Sequence, residues 1–190
     1  MNLDPIQDER EKCVKRCIPD LFSGKYESVL YVGANQKRQH FLNFFEESNY
    51  KRIVILEAFK ENYKFLKKKF ETKQPNVHQV IWGKVEEIEK FTLEPFDVIF
   101  FWHGPEHLPQ QQIEPTLKML ESISNHLVIL GMPFGKYVQG PEYGNPFEVH
   151  LSYIYPSLLH KYDYLTKTLG NQDEKGSNIT AWKYIQKTFA

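Results

Sequence analysis

The 190-residue chain is 41 % apolar, 15 % aromatic and 25 % charged, and its 24 basic and 24 acidic residues balance to a formal net charge of zero. This is the composition of a folded protein, and the length suits one domain with a single core. We therefore expect one domain over residues 1–190, with an N-terminal helical extension over residues 1–24. The balanced charge, with no basic arm, argues against a nucleic acid partner.

The N-terminal segment MNLDPIQDEREKCVKR is charged and lacks the apolar stretch of a secretion signal. No run approaches the length of about 20 apolar residues that spans a bilayer, so we expect no membrane association and a cytoplasmic location. Cys13 and Cys17 share one face of a predicted helix. Because no second cysteine pair accompanies them, we interpret them as free thiols rather than metal ligands.

Short apolar runs alternate with longer amphipathic segments, which is typical of βαβ units and of a mainly parallel sheet with helices on both faces. Five runs predict strands: SVLYVG (28–33), RIVILEA (52–58), VHQVIW (77–82), FDVIFFW (96–102) and NHLVILG (125–131). Near the end, YDYLTKTLG and NITAWKYIQK alternate apolar and polar residues around the turn NQDEKGS. They predict an antiparallel pair that closes the sheet.

The segments between these strands predict helices. In NQKRQHFLNFFEESN the apolar face consists of Phe41, Leu42, Phe44 and Phe45. In KENYKFLKKKFE it consists of Tyr63, Leu66 and Phe70, with the lysines at 67–69 on the solvated side. PQQQIEPTLKMLESIS predicts a third helix, in which Pro115 raises the question of a break.

The turn after the first predicted strand, in SVLYVGANQK, resembles a glycine-rich nucleotide-binding turn that keeps only Gly33. The second strand ends at Glu57, 24 residues later, near the offset at which a carboxylate accepts hydrogen bonds from ribose hydroxyls. Taken singly, Gly33 could form a tight turn that binds nothing, and Glu57 could stabilise a helix start. Their combined spacing favours a cofactor.

The order VLYVGANQ, VILEAF, VIWGKVEEI, FDVIFFWHGPEHL and LVILGMPFG resembles the class I S-adenosylmethionine-dependent methyltransferases over about residues 25–190, and the small-molecule members in particular. The resemblance implies an α/β fold: a doubly wound, mainly parallel seven-stranded sheet with helices on both faces and its last strand antiparallel. It also implies S-adenosylmethionine as cofactor and a small molecule as methyl acceptor.

The same resemblance implies cofactor-binding positions after the first four strands. These are Gly33, Ala34, Asn35, Glu57, Ala58, Phe59, Gly83, Lys84, Val85, Trp102 and His103. Residues 33–35 would meet the methionine part, Glu57 the ribose, and residues 58–59 and 83–85 the adenine. Tyr31 stands where the family usually has an acidic residue, and Lys84 where aspartate is frequent.

The cluster after the fourth strand, HGPEH, supplies candidate catalytic groups. The string also fits the H-x-x-E-H pattern of zinc peptidases, but Gly104 and Pro105 interrupt the helix which that chemistry needs, and we predict no metal site. His107 could instead cap the next helix. If the acceptor must lose a proton, His103, Glu106 or His150 could serve as base.

The long segment GMPFGKYVQGPEYGNPFEVHLSYIYP is the predicted substrate-facing loop. It carries Tyr137, Tyr143, Phe147, Glu148 and His150 after the fifth strand. The alternative interpretation is a rigid, proline-rich surface loop.

Three functions agree with the sequence. The first is methyl transfer to a small molecule. The second is a non-catalytic protein of the same fold that has lost the cofactor and acts as an interaction module. The third is nicotinamide-dependent redox chemistry, which depends more strongly on the glycines that are missing here.

Overall fold

The computed structural model describes residues 5–35, 41, 45, 50–73, 77–91, 93–170 and 176–186. The helices and strands in this part of the chain are α1 (Pro5–Cys17), β1 (Ser28–Val32), β2 (Arg52–Glu57), α2 (Lys60–Lys73), β3 (Val77–Trp82), β4 (Phe96–Trp102), α3 (Gln110–Ser122), β5 (Ser124–Pro133), α4 (Pro156–His160), β6 (Leu165–Leu169) and β7 (Asn178–Tyr184). Short 3₁₀ turns connect some of them, at Pro19–Phe22, Val85–Phe91, Pro105–His107 and Pro146–Glu148.

The strands form one seven-stranded sheet in the order β3-β2-β1-β4-β5-β7-β6. The first five pair in parallel, whereas β7 is antiparallel to both of its neighbours, β5 and β6. The predicted fold class, with its antiparallel last strand, is confirmed. The reversal of strand order between β1 and β4 marks the edge where sheets of this type bind ligands.

The central strands are apolar along their whole length because both of their faces are covered. Successive side chains of a strand point to opposite faces. In β4, Ile99 and Phe100 accordingly belong to different apolar layers, and both are fully buried. Near-continuous apolar runs are the expected sequence for such strands.

The predicted helical faces are confirmed where the structure describes them. Leu66 and Phe70 of α2 are buried, as are Phe41 and Phe45, which are both helical. Leu42 and Phe44 lie outside the described residues. The prediction of a break at Pro115 is wrong, because α3 continues through it. Proline has no N–H to donate to the carbonyl four residues earlier in the helix. Because Pro115 lies on the exposed side of α3, that carbonyl can turn towards water instead.

Helix α1 precedes the sheet and contacts β6 and β7. Its two cysteines are free thiols, with the Sγ atoms 3.9 Å apart, as predicted. Burial and the neighbouring Cys17 raise the pKa of Cys13 to about 11, so this thiol is poorly reactive. Among the described helices, none has the length and apolar composition needed to cross a membrane.

Phe100 lies at the centre of an aromatic cluster on one face of the sheet. Its ring centroid is 5.2 Å from that of Tyr31, 4.8 Å from Phe41, 5.3 Å from Phe45 and 5.1 Å from Trp102. These separations are those of favourable aromatic pairs. The cluster joins the centre of the sheet to Trp102, the last residue of β4.

Replacing Phe100 with alanine should lower the free energy of unfolding by about 3 to 5 kcal/mol, because the cavity left among rigid rings cannot collapse fully. Phe65→Ala on α2 is the matched control, since Phe65 is 40 % exposed. That change should cost no more than about 0.5 kcal/mol. Urea unfolding of both variants measures the difference, and equal losses would contradict the assignment of Phe100 to the core.

Candidate functional site

The carboxyl ends of the parallel strands meet at one edge of the sheet. Backbone hydrogen bonds continue the pairing one residue beyond the strands: Gly33 N donates to Leu56 O (2.9 Å), Gly83 N to Glu57 O (3.0 Å), and His103 N to Gly131 O (2.7 Å). The turns that carry the predicted site residues are therefore held side by side.

A cavity of about 290 Å³ opens at this edge, close to the lower end of the range for small-molecule sites. The predicted site residues that line it are Gly33, Asn35, Glu57, Ala58, Gly83, Lys84, Val85, Trp102 and His103. Four others do not line it: Ala34, Phe59, Glu106 and His150. Residues from the long loop after β5 also line the cavity: Asn145, Phe147, Glu148 and Leu151.

Two glycines at the cavity are required for different reasons. Gly33 has a φ of +80°, a left-handed conformation that favours glycine, and a Cβ there would meet only Trp102 O at 3.8 Å. A Cβ on Gly83 would lie 2.2 Å from the Phe91 ring. Gly33 thus serves the turn, whereas Gly83 is already required by packing, whether or not a ligand binds.

Glu57 presents a buried carboxylate to the cavity. It is 5 % exposed, and its Oε1 accepts a hydrogen bond from Phe59 N at 2.8 Å. Its pKa is raised to about 8, mainly by burial and to a smaller extent by the charge of Glu148. Hydrogen bonds from Phe59 and Asn62 act in the opposite direction and lower the pKa. A carboxylate in this setting would be stabilised by hydrogen-bond donors that enter the cavity.

The loop after β5 reaches the turns that follow β1 and β3. Glu148 accepts a hydrogen bond from Asn35 Nδ2 (3.4 Å), and Lys84 Nζ lies 5.6 Å from the centre of the Phe147 ring. The predicted loop residues Phe147 and Glu148 therefore belong to the cavity. Tyr143 is exposed, and Tyr137 packs its ring 5.3 Å from that of His150.

Arg10 of α1 does not line the cavity, but it contacts two residues that do, Trp102 and His103, and no sequence pattern predicted this. It is 1 % exposed, its guanidinium carbon lies 4.4 Å from the centre of the Trp102 ring, and Nη1 hydrogen-bonds to His103 Nε2. A guanidinium only donates, so Nε2 accepts and a neutral His103 carries its proton on Nδ1. Nδ1 lies 3.3 Å from Glu106 Oε1.

His103 also has an unusual backbone conformation, with a φ of +50°. A non-glycine residue in this region is held there by its surroundings, and such residues concentrate at functional sites. No sequence signal distinguishes Arg10 from the other charged residues of the first helix, because its role depends on how that helix packs against the sheet.

The structure brings His107 and His150 together, although they are far apart in the chain. Their ring centroids are 5.0 Å apart, and His107 Nδ1 lies 3.1 Å from Val149 O. The HGPEH segment forms a 3₁₀ turn over Pro105–His107, not a continuous helix, as predicted. His107 does not cap α3, which follows Pro109 without a side-chain cap.

The raised pKa of Glu57 predicts how the stability of the ligand-free protein depends on pH. The pKa is about 8 when folded and about 4.3 when unfolded, so folding favours the protonated form. Its stabilising contribution is fully present below about pH 4.3 and is lost as the pH rises through about 8, by at most about 1.4 kcal/mol per pH unit.

Urea unfolding of the wild type and of Glu57→Gln between pH 5 and about 9 measures this contribution. The stability of the wild type should fall relative to that of the variant as the pH rises. Parallel curves for the two proteins would show that Glu57 ionises with an ordinary pKa.

Comparisons with known proteins support the fold. No family model matches the sequence, and no curated protein does. The structure is similar to the N-terminal domain of EvdMO1 with bound S-adenosylhomocysteine (TM-score 0.65, 16 % identity, covering 98 % of this chain and 83 % of that one). It is also similar to DhpI in its SAM-HEP complex (TM-score 0.66, 12 % identity, 94 % and 87 %).

A third similar structure is the magnesium protoporphyrin IX methyltransferase ChlM from Synechocystis PCC 6803 with bound SAM (TM-score 0.59, 8 % identity, 98 % and 86 %). At these identities the likeness concerns the fold, and it agrees with the strand order and the antiparallel β7. The chain has the fold of the class I S-adenosylmethionine-dependent methyltransferases.

Proposed function

We propose that the protein transfers a methyl group from S-adenosylmethionine to a small-molecule acceptor. The observation that carries this proposal is the buried carboxylate of Glu57, which ends β2 and lines a cavity at the carboxyl edge of a class I methyltransferase fold. In sheets of this type a carboxylate at this place suits the two hydroxyl donors of a ribose.

The residues around Glu57 fit the rest of the cofactor. The left-handed turn at Gly33 leaves its surface open, so a ligand can approach the backbone there. The Trp102 side chain also lines the cavity and offers an aromatic surface to the cofactor. Glu57 and Glu148 both line the cavity, and their carboxylates favour a ligand with a cationic sulfonium and ammonium group.

In methyl transfer from a sulfonium, the main contribution of the protein is to position the acceptor and the methyl donor. The acceptor atom forms a bond to the methyl carbon while the bond from that carbon to sulfur breaks, and sulfur keeps the electron pair. The sulfonium is already a good leaving group. Phe147 and Leu151 line the cavity next to the polar groups, and they would exclude water from the reacting atoms.

A small acceptor is favoured by the balanced charge of the chain, because a net positive charge would be expected of a protein that binds a nucleic acid backbone. One of the similar structures gives further support, because the EvdMO1 domain was also crystallised in the presence of S-adenosylhomocysteine and D-fucose.

The proposed catalytic residues His103, Glu106 and His150 have different surroundings. His103 lines the cavity, which supports it as the residue that would meet an acceptor. Glu106 orients its ring through Nδ1. His150 does not line the cavity, and its ring packs against that of His107. Proton transfer to His103 Nε2 requires the Arg10 hydrogen bond to open first.

The first test is calorimetric titration of the full chain with S-adenosylmethionine, S-adenosylhomocysteine and NAD in parallel. S-adenosylhomocysteine should bind, and Glu57→Ala should weaken it by about 1.5 to 3 kcal/mol, or about 10- to 150-fold, because charged hydrogen bonds to the ribose are lost. Glu61→Ala on the exposed surface of α2 is the control and should bind like the wild type. Binding of NAD alone would indicate redox chemistry, and binding of neither cofactor would indicate the non-catalytic alternative.

The second test concerns His103. His103→Gln should lower turnover by about 100-fold or more while changing the dissociation constant of S-adenosylhomocysteine by only a few-fold. Release of S-adenosylhomocysteine from S-adenosylmethionine, measured with a panel of small hydroxyl and amine acceptors, reports the turnover. A variant that loses cofactor binding and thermal stability together would show that His103 has only a packing role.

A further inference from the structure

We propose that Glu106, His107 and His150 form a binding site for a divalent transition-metal ion. Each of these residues offers one ligand atom, and the three atoms lie within 4.8 Å of one another. Two imidazole nitrogens and one carboxylate oxygen are a common ligand set for zinc and iron in proteins. The HGPEH pattern contains Glu106 and His107, but the contribution of His150 depends on long-range packing, because a helix, a strand and a long loop separate it from His107.

The hydrogen bonds of the two histidines determine which ring nitrogen can bind a metal. His107 Nδ1 lies 3.1 Å from Val149 O, and His150 Nδ1 lies 2.6 Å from Tyr137 O. A backbone carbonyl can only accept, so in each neutral ring Nδ1 carries the proton and Nε2 keeps its lone pair. Metal-bound histidines almost always have this arrangement, since the second hydrogen bond fixes the tautomer and the ring orientation.

The backbone around these residues is held in place without a metal. Leu151 N and Ser152 N both donate to Glu106 O, at 2.9 and 3.1 Å. His150 N donates to Gln139 O at 3.1 Å, and Gln139 Nε2 returns a hydrogen bond to Glu148 O. The turn after β4 and the long loop are thus joined where the three ligands meet, so the site needs little rearrangement on binding.

The burial of Glu106 supports a cation at this place. Its side chain is 2 % exposed and already accepts a hydrogen bond from His103 Nδ1 at 3.3 Å, and a cation would compensate the remaining charge of this buried carboxylate. The two imidazole ligands favour zinc, iron, cobalt or nickel, whereas magnesium, calcium and manganese prefer oxygen ligands.

The position of the site suggests how it would serve the reaction. Three protein ligands leave coordination positions open for water or for an atom of a ligand. Since His107 also lines the cavity, an acceptor with a hydroxyl or carboxylate oxygen is the class of small molecule that such a site would favour. This second step rests on the proposed methyl transfer, whereas metal binding itself does not.

The test is titration of chelator-treated full-length protein with CoCl₂, followed by visible absorption and calorimetry. The wild type should bind one Co²⁺ per chain with a change in the cobalt absorption, and equal concentrations of MgCl₂ should not compete. His107→Gln, His150→Gln and Glu106→Gln should each raise the dissociation constant for Co²⁺ by at least about 100-fold, because removing a ligand costs more than removing its hydrogen-bond partner.

Two matched variants keep the result interpretable. His160→Gln removes an exposed histidine that hydrogen-bonds to Thr166 and does not belong to the cluster, so this variant should bind Co²⁺ like the wild type. His150→Cys keeps a ligand at the same place, so it should retain binding and add a sulfur-to-cobalt absorption band, even if His150→Gln proves unstable. Absence of Co²⁺ binding to the wild type, or binding that survives all three ligand substitutions, would overturn the proposal.

S-adenosylhomocysteine titrated into the same metal-free wild type separates the two proposals. Binding of this cofactor product without Co²⁺ binding leaves methyl transfer standing and removes the metal site. Co²⁺ binding without cofactor binding does the reverse.

Discussion

The register of the parallel strands is the constraint on which the site depends. Because β1, β2, β4 and β5 are buried on both faces, each strand is fixed by the packing of alternate side chains. A shift of β2 by one residue would turn the Glu57 side chain to the opposite face of the sheet and put an apolar neighbour in its place. The apolar layers on the two faces of the sheet therefore determine which chemical groups reach its edge.

A second constraint is the joint between the turn after β4 and the loop after β5. One backbone carbonyl, that of Glu106, accepts from both Leu151 and Ser152. This joint holds Phe147 and Glu148 at the cavity and His150 against His107. The side of the cavity that would meet an acceptor thus depends on contacts between segments that are distant in the chain, whereas the cofactor side depends on the strands.

This division explains what could be predicted from the sequence. The strands and the edge that gathers Gly33, Glu57 and Trp102 follow from apolar periodicity and parallel topology, which are local patterns. The pairing of His107 with His150 and the position of Arg10 follow from long-range packing, for which a single sequence carries no signal. Gly83 shows that a match to a motif can have another cause. It fits a cofactor motif, but a Cβ at this position would also clash with the Phe91 ring.

The contribution of Arg10 makes the segment before β1 part of the site. That segment precedes every motif by which the fold is recognised. A structural alignment based on the sheet alone would therefore leave the first helix out of the comparison. Exchanging the first helix between two proteins of this fold looks like a graft of a peripheral element. Here the graft would remove the cation that lies over the Trp102 ring and the donor to His103. The ancestry of the edge that carries the cavity and that of the first helix therefore have to be traced separately.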